Sequence, residues 1–171
     1  MIIRSYLVML WAVLFVSCGP TVAQSVAVFD FELIDISLEG AIRGARLDEQ
    51  ERLARLSDQL RQLLRASGRF SLVDITPIAS EALASNLQAC GGCDIQLARR
   101  LGAELAITGT VQKVSNLILN MNTYVRDASS EATIAAMSAD MRGNTDETWS
   151  RTLDWLVRNR LLAPGYRLKQ P

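Results

Sequence analysis

Residues 116–128 read NLILNMNTYVRDA and carry the clearest structural pattern in the sequence. Apolar and polar side chains alternate along this stretch, which is the period of a β-strand with one buried face and one face in water. The predicted buried side consists of Leu117, Leu119, Met121, Thr123 and Val125. The stretch therefore predicts a long strand of an antiparallel sheet that is open to solvent on one side.

The opposite side of this strand is a candidate docking face for another protein. It consists of Asn120, Asn122, Tyr124 and Arg126. Tyrosine and arginine are enriched in protein–protein interfaces. The simpler interpretation is a solvated sheet face, and the sequence leaves both interpretations open.

Strands on either side of this one predict an antiparallel meander. Residues 104–111 (ELAITGTV) precede it, and residues 132–142 (ATIAAMSADMR) follow it after a turn at 128–131. Short connections between successive strands favour antiparallel pairing, because a parallel pair needs a long crossover.

The amino-terminal half predicts one βαβ unit. Residues 25–31 (SVAVFDF) are almost entirely apolar, as in a central strand that is buried on both faces. After a predicted loop at 32–46, leucines recur at helical spacing over 47–66, and Gly68 suits a helix C-cap. Residues 69–75 (RFSLVDI) form the second strand. A strand–helix–strand unit of this kind makes a parallel pair with a right-handed crossover.

Three further helices are predicted in the rest of the chain. Thr76 is the expected N-cap of the first, and Asp94 that of a short helix that stops at Gly102. Asn144 or Thr145 is expected to cap the closing helix, whose apolar stripe includes Trp149, Leu153, Leu156, Val157 and Leu161. The order βαβ–αα–βββ–α predicts an α/β (α+β) domain, with a single mixed sheet of about five strands and helices packed on it.

The amino terminus has the pattern of a cleaved signal peptide. Arg4 forms a short positive region, residues 6–16 are uninterruptedly apolar, and Ala23 closes a small-residue cleavage site. The apolar run is shorter than the roughly 20 residues that span a bilayer. We therefore predict a signal peptide at 1–23, a single domain at 24–171 with no membrane span, and a periplasmic address.

Residues 14–19 (LFVSCG) offer a second interpretation of the same segment. They are similar to a bacterial lipobox, in which Cys18 would become the lipidated first residue. Phe15 departs from the aliphatic residue usual at its position. A membrane-anchored lipoprotein is therefore the alternative to a released periplasmic protein.

Composition narrows the possible chemistry. The chain has no histidine, which excludes catalytic Ser–His–Asp and Cys–His sites in their usual form. Removal of residues 1–23 takes away one arginine and no acid, which leaves 17 basic and 18 acidic residues. That balance argues against nucleic-acid binding. No nucleotide-binding glycine loop occurs in the sequence, so we predict no cofactor.

Four acidic residues near the first strand raise the question of a cation site. Asp30, Glu32, Asp35 and Glu39 could supply oxygen ligands to calcium. Asp30 and Glu32 alternate with Phe29 and Phe31, however, so exposure at a strand end explains them equally well. We predict no metal site.

Cys90 and Cys93 enclose two glycines in the motif CGGC, and they remain paired in number once Cys18 is removed or lipidated. An oxidising compartment favours a disulfide between them. A helix-like stretch precedes the motif, unlike the strand of a thioredoxin, and the charge of Asp94 beside Cys93 disfavours the thiolate. A structural disulfide is therefore the favoured interpretation, and a redox-active pair is the alternative.

Several motifs resemble known families. The VAVFDF strand, the helix ending in ASGRFSLVD, and ARRLGAELAITGTV are similar in architecture to the TolB amino-terminal domain and, more loosely, to CsgG. FDFELIDISLEG, NLQACGGCD, VQKVSNLILNMN and RGNTDETW resemble a family of small exported bacterial proteins of unknown function, of the DUF3280/DUF2380 type. This second resemblance implies a periplasmic address and the fold above, and it supplies no catalytic residues.

Together these observations predict a non-enzymatic binding or assembly module of the cell envelope, whose partner is another envelope protein. A periplasmic thiol–disulfide protein that uses Cys90 and Cys93 is the alternative. A sensor with a small-ligand pocket at the strand ends is a third hypothesis, for which the sequence singles out no residues.

Overall fold

The structure is a computed structural model of the chain, and it describes residues 23–163. It contains one mixed sheet of six strands: β1 Gln24–Val28, β2 Glu32–Asp35, β3 Phe70–Leu72, β4 Leu105–Ser115, β5 Ile118–Asp127 and β6 Thr133–Met141. The helices are α1 Leu38–Arg43, α2 Leu47–Ser67, α3 Ala79–Ala84, α4 Cys93–Arg100 and α5 Asp146–Leu156. A 3₁₀ turn at Thr76–Ile78 precedes α3, and a π-helical turn at Val157–Leu161 continues α5. The predicted α/β fold class is confirmed. Cys18 and almost all of the predicted signal peptide lie outside the described residues.

The strand order is β3–β1–β4–β5–β6, with β2 paired to β4 beyond the end of β1. β1 runs parallel to both β3 and β4, and β4, β5 and β6 form an antiparallel meander. The predicted βαβ pair and the predicted meander are therefore both correct. Their junction is the β1–β4 pair, which the sequence left open because it joins residues far apart in the chain.

The predicted loop at 32–46 is wrong, because it contains β2 and α1. β2 pairs in parallel with β4, from Glu32 opposite Thr110 to Asp35 opposite Lys113. Both elements are short and carry mixed side chains, so neither has a clear period of its own. Pairing with β4 is what orders β2.

The first predicted strand also ends earlier than expected. β1 stops at Val28, which faces Ile107, whereas Glu32 faces Thr110, so the β1–β2 segment has one residue more than β4. This bulge turns Phe29 and Phe31 to opposite faces of the sheet. The ring of Phe31 then lies over Gly109, where any Cβ would overlap it.

Helices cover the two faces of the sheet unequally. α2 and α5 pack on one face and build the larger core with side chains from β1, β4, β5 and β6, including Leu60, Leu64, Ile107, Met121, Trp149 and Leu153. α3 and α4 pack on the other face, over Ala27, Phe29 and Ala106. In the described part of the chain, the hydrophobic cluster under α3 and α4 includes no side chain of β5 or β6.

Helix ends show which capping predictions hold. Gly68 ends α2 in the left-handed conformation, with φ of 66°, and Thr145 caps α5 by accepting a hydrogen bond from the Thr148 backbone N–H. The N-cap of α4 is Gly92, and Asp94 lies in its first turn, so the prediction for Asp94 is wrong.

The prediction for Thr76 as an N-cap is also wrong. A 3₁₀ turn begins at Thr76, and the Thr76 hydroxyl donates to the Asp74 carboxylate instead of accepting from the following backbone. The α-helix proper starts three residues later. Asp74 therefore organises this turn from outside the helix.

Candidate functional site: an open polar face beside a disulfide loop

β4, β5 and β6 carry polar side chains on the same face of the sheet as α3 and α4. Within residues 23–163, the hydrophobic cluster under these helices does not extend to β5 or β6, so this part of the face is open. Cross-strand pairing arranges this open face in three rows, each of which takes one residue from each strand. The rows are Gln112–Asn120–Asp140, Thr110–Asn122–Ser138 and Thr108–Tyr124–Ala136.

Hydrogen bonds within and between the rows hold the two asparagines of β5 in place. Asn120 Nδ2 donates to Asp140 Oδ1 at 2.8 Å, and the Ser138 hydroxyl donates to Asn120 Oδ1 at 3.1 Å. Asn122 Nδ2 donates to Thr110 Oγ1 at 3.5 Å. The asparagine side chains are thus pre-positioned, which lowers the entropy cost of contacts with a partner.

The predicted alternation of β5 is observed with one exception. Leu119, Met121, Thr123 and Val125 are buried, and the four residues of the predicted docking face are partly exposed. Leu117 was predicted to be buried and is 73% exposed. It lies in the β4–β5 turn, one residue before the strand begins, where the strand period no longer applies.

Arg126 differs from the other three predicted docking residues, because it forms an ion pair with a buried carboxylate. Its Nη1 donates to Asp94 Oδ1 at 2.7 Å, and Asp94 is 1% exposed. Arg126 Nε is buried and has no hydrogen-bond partner within residues 23–163. The arginine was predicted to face water, whereas it anchors α4 to the end of the open polar face.

The CGGC motif lies at this same end. Cys90 and Cys93 form a disulfide, with their Cα atoms 5.7 Å apart. Gly91 and Gly92 both adopt positive φ, at 70° and 109°, which glycine tolerates without steric cost. Both sulfurs were predicted to lie before the helix, but Cys93 is the first residue of α4. The adjacent Asp94–Arg126 pair connects the disulfide loop to β5.

A buried charge cluster on the opposite face was missed from the sequence. The Lys113 ammonium is fully buried and lies 2.6 Å from Glu49 Oε1, 3.2 Å from Glu39 Oε2 and 3.3 Å from Asp35 Oδ2. The third strand was predicted to end at Val111, so Lys113 was placed outside it. Its position two residues after the inward-facing Val111 was the available signal.

The electrostatics of this cluster favour the charged forms of Lys113 and Asp35. Burial by itself lowers the pKa of Lys113, but hydrogen bonds and charges from Glu49, Glu39 and Asp35 outweigh it and raise the pKa above 10.5. Burial alone raises the pKa of Asp35, yet hydrogen bonds from Ser37 and the Lys113 charge bring it below 3.8. Each charge thus depends on the others.

The four acids considered for calcium binding are dispersed among different partners. Asp30 pairs with Arg61, and Glu32 accepts a hydrogen bond from the Leu87 backbone N–H. Burial raises the pKa of Glu32. Asp35 and Glu39 are both engaged by Lys113, as described above. Across residues 23–163 no cluster of histidine, cysteine or carboxylate side chains has a geometry suited to a metal ion.

Membrane-spanning helices were sought in the same residues. None of the helices between residues 23 and 163 has the length and apolar character needed to cross a bilayer.

Comparisons with solved structures show where this fold occurs. The LpoB C-terminal domain from Salmonella enterica is 16% identical over 73% of this chain and 87% of that one, with a TM-score of 0.50. Lipoprotein GNA1162 from Neisseria meningitidis is 14% identical over 81% and 96%, with a TM-score of 0.49. TolB from Acinetobacter baumannii is 13% identical over 81% and 28%, with a TM-score of 0.47. At such identities the similarity concerns the fold alone.

Sequence comparison assigns the chain to a family. No curated protein matches the chain. The DUF3280 family, described as "Protein of unknown function (DUF2380)", matches residues 24–161, as the sequence motifs predicted. This chain belongs to that family.

Proposed function

We propose that this protein is a non-enzymatic binding or assembly module of the bacterial cell envelope, and that it docks another envelope protein on the open polar face. The observation that carries the proposal is the hydrogen-bonded polar surface of β5 and β6 around Asn120 and Asn122, next to the partly exposed Tyr124, where the hydrophobic cluster under α3 and α4 does not extend. Export rests on the signal-peptide pattern of residues 1–23. Lipidation at Cys18 is the alternative mode of retention in the envelope.

Tyr124 is the expected anchor of this interface. Its ring is partly exposed in the centre of β5, and within residues 23–163 its hydroxyl has no hydrogen-bond partner. A partly exposed tyrosine among ordered polar groups combines a large apolar contact area with a free hydroxyl, which is typical of interface hot spots.

The disulfide supports the same proposal in a structural role. It constrains the loop before α4, and α4 holds Arg126 through Asp94. The bond therefore keeps one border of the open polar face in a constant position. A rigid border reduces the ordering cost on association.

Site-specific photo-crosslinking in the native envelope tests this proposal. A photo-reactive residue at Tyr124 is expected to crosslink one defined partner, and the double variant Asn120→Ala, Asn122→Ala, with the crosslinker kept at Tyr124, is expected to lose that product. A crosslinker at Arg151, 80% exposed on α5, is the matched control. Equal products from both positions, or a product that survives the double variant, contradict docking on this face.

A thiol–disulfide function is the second candidate, and one observation favours it. Cys93 is the first residue of α4, a helix N-terminus is a common place for reactive cysteines, and Cys90 is exposed. The reduction potential separates the candidates. A value below about −300 mV indicates a structural bond, whereas a value in the range of the oxidoreductases, at about −270 mV or above, supports the redox function.

A further inference from the structure

A cleft of about 330 Å³ lies at the carboxyl ends of β1 and β3, the two strands on the side of β4 away from β5 and β6. After β1 the chain passes through β2 and α1 to α2 on one face of the sheet, and after β3 it passes through a 3₁₀ turn to α3 on the other. The cleft lies outside the carboxyl ends of two parallel strands, which is the end of an open α/β sheet where small ligands bind.

One wall of the cleft is a rigid, charge-balanced arginine. Arg61 Nη2 donates to Asp30 Oδ1 at 2.5 Å and to the Val28 carbonyl at 3.0 Å, and its Nη1 lies 3.2 Å from Asp58 Oδ1. The Arg61 side chain is 17% exposed. With two carboxylates beside it, Arg61 shapes the cleft and leaves the recognition of a charged ligand to other residues.

The next turn of α2 contributes a second arginine, Arg65, whose surroundings differ from those of Arg61. Arg65 follows Arg61 by four residues, so it lies on the same side of the helix and lines the same cleft. Arg65 is exposed, and none of the carboxylates of residues 23–163 forms an ion pair with it. Its guanidinium is therefore available to a bound carboxylate, which it can hold with two parallel hydrogen bonds.

Asp74 supplies the complementary charge at the end of β3. Its Oδ1 accepts hydrogen bonds from the Thr76 backbone N–H at 3.0 Å and from the Thr76 hydroxyl at 2.6 Å. These bonds lower the pKa of Asp74 and orient the carboxylate. Within residues 23–163 no arginine or lysine forms an ion pair with Asp74, although the cleft contains two arginines.

We propose that this cleft binds a small zwitterion, a free α-amino acid or a dipeptide, with its carboxylate on Arg65 and its ammonium on Asp74. Leu72, Val73 and Ile75 also line the cleft and provide an apolar surface for the ligand side chain. The volume is at the small end of the range of about 300–1,000 Å³ for ligand pockets. This site lies apart from the open polar face and does not depend on the docking function.

Calorimetry on the purified protein tests the proposal with free amino acids, dipeptides, and their N-acetyl and carboxamide analogues. We expect at least one zwitterion to bind with a Kd below about 1 mM. Each analogue has lost one charge and should bind about tenfold more weakly than its parent zwitterion, or weaker still, because a charge-assisted hydrogen bond is lost. Comparison of the amino acids with the dipeptides identifies which of the two ligand types the cleft accepts.

Two variants assign the charges, and a third is the control. Asp74→Asn should weaken binding of the zwitterion about tenfold or more but leave binding of its N-acetyl analogue unchanged. Arg65→Gln should likewise weaken binding of the zwitterion but leave binding of its carboxamide analogue unchanged. Arg142→Gln, at an exposed arginine after β6, should change neither. Because Arg65 and Asp74 are exposed, unfolding midpoints like that of the wild type are expected and verify the fold.

The proposal is overturned if no member of the panel binds at about 10 mM, or if an N-acetyl analogue binds as tightly as its free parent. It is equally overturned if Asp74→Asn weakens both by the same factor. Crosslinking from Tyr124 reports on the docking face alone, so failure of either proposal is recognised independently of the other.

Discussion

The Lys113–Glu49 and Arg126–Asp94 ion pairs lie on opposite faces of the sheet, and they differ in what surrounds them. Lys113 and Glu49 are both 0% exposed, beneath the helix-covered face. Asp94 is 1% exposed, but its partner Arg126 is 26% exposed at the end of the open polar face. The first pair is enclosed by further protein charges, whereas the second borders water and the disulfide loop.

The two ion pairs are suited to different roles because they are buried to different degrees. In the enclosed pair, Glu39 and Asp35 join Glu49 around Lys113, so removal of Lys113 would leave the fully buried Glu49 carboxylate without its cation and next to two further acids. In the open pair, the guanidinium has unused hydrogen-bonding capacity at Nε and access to solvent. The enclosed pair is suited to holding α1, α2 and β4 together, and the open pair to connecting α4 with a recognition surface.

Loss of the enclosed cation should have the largest effect. Lys113→Met is expected to lower the free energy of unfolding by about 3–5 kcal/mol, because it leaves the fully buried Glu49 carboxylate uncompensated. Urea unfolding at neutral pH measures the change. Arg151→Met removes a cation that is 80% exposed and serves as the control, with a loss of at most about 1 kcal/mol. A comparable loss in both variants contradicts the role assigned to Lys113.

Loss of the open pair should cost less. Arg126→Met is expected to lower the free energy of unfolding by about 1–3 kcal/mol, since it leaves the buried Asp94 carboxylate without its donor beside a position that is 26% exposed. The same urea experiment measures it. If Arg126→Met proves more damaging than Lys113→Met, the proposed contrast between the two pairs does not hold.

The disulfide beside the open pair should contribute a similar or smaller amount. The double variant Cys90→Ser, Cys93→Ser is expected to lose about 2 kcal/mol, as the loop-entropy relation gives for so short a ring. Combination with Arg126→Met should be non-additive, because the disulfide and Arg126 constrain the same end of α4. Additive losses would show that the loop and the ion pair act separately. Unfolding of the wild type with and without reductant measures the same contribution without mutation.

The smallest effect should be the dependence of the enclosed cluster on pH. The pKa of Asp35 is below 3.8 and that of Glu39 below 4.5, so their stabilisation is present above those values and is lost as the pH falls through the lower folded values. The raised pKa of Lys113 stabilises the fold below 10.5, and this contribution is lost as the pH rises through the higher folded value.

Lys113→Met should therefore flatten the pH profile of stability. Unfolding free energies of the wild type and the variant, measured from neutral pH down to about pH 3, are expected to converge. A separate acid limb should persist in both, because hydrogen bonds from Ser129 and Ser130 lower the pKa of Asp127 to about 2. Parallel profiles for the two proteins would show that the acids do not depend on Lys113.

Sequence patterns predicted the elements whose signal is local. The leucine spacing of α2 and the alternation of β5 both emerged as expected, because each pattern repeats over several turns or residue pairs. Gly68 and Thr145 were recognised as caps, since capping depends on residues within one turn. The Cys90–Cys93 bond likewise joins residues only three apart.

The elements that were missed depend on distant partners. β2 has four residues and is ordered by β4, some 78 residues away along the chain. Lys113 was overlooked because a lysine in a strand usually indicates a solvated position. β2, α1 and α2, brought together around it, supply the carboxylates that make its burial tolerable.

By itself, the sequence determined the fold class, the long helix and strands, the end of α2, the start of α5 and the pairing of the two cysteines, because neighbouring residues decide these features. The tertiary structure alone decided the register bulge that separates Phe29 from Phe31, the partners of Lys113 and Arg126, and the cleft between β1 and β3. Those features arise where segments distant in sequence meet. Their energies depend on burial and charge balance, which no single segment contains.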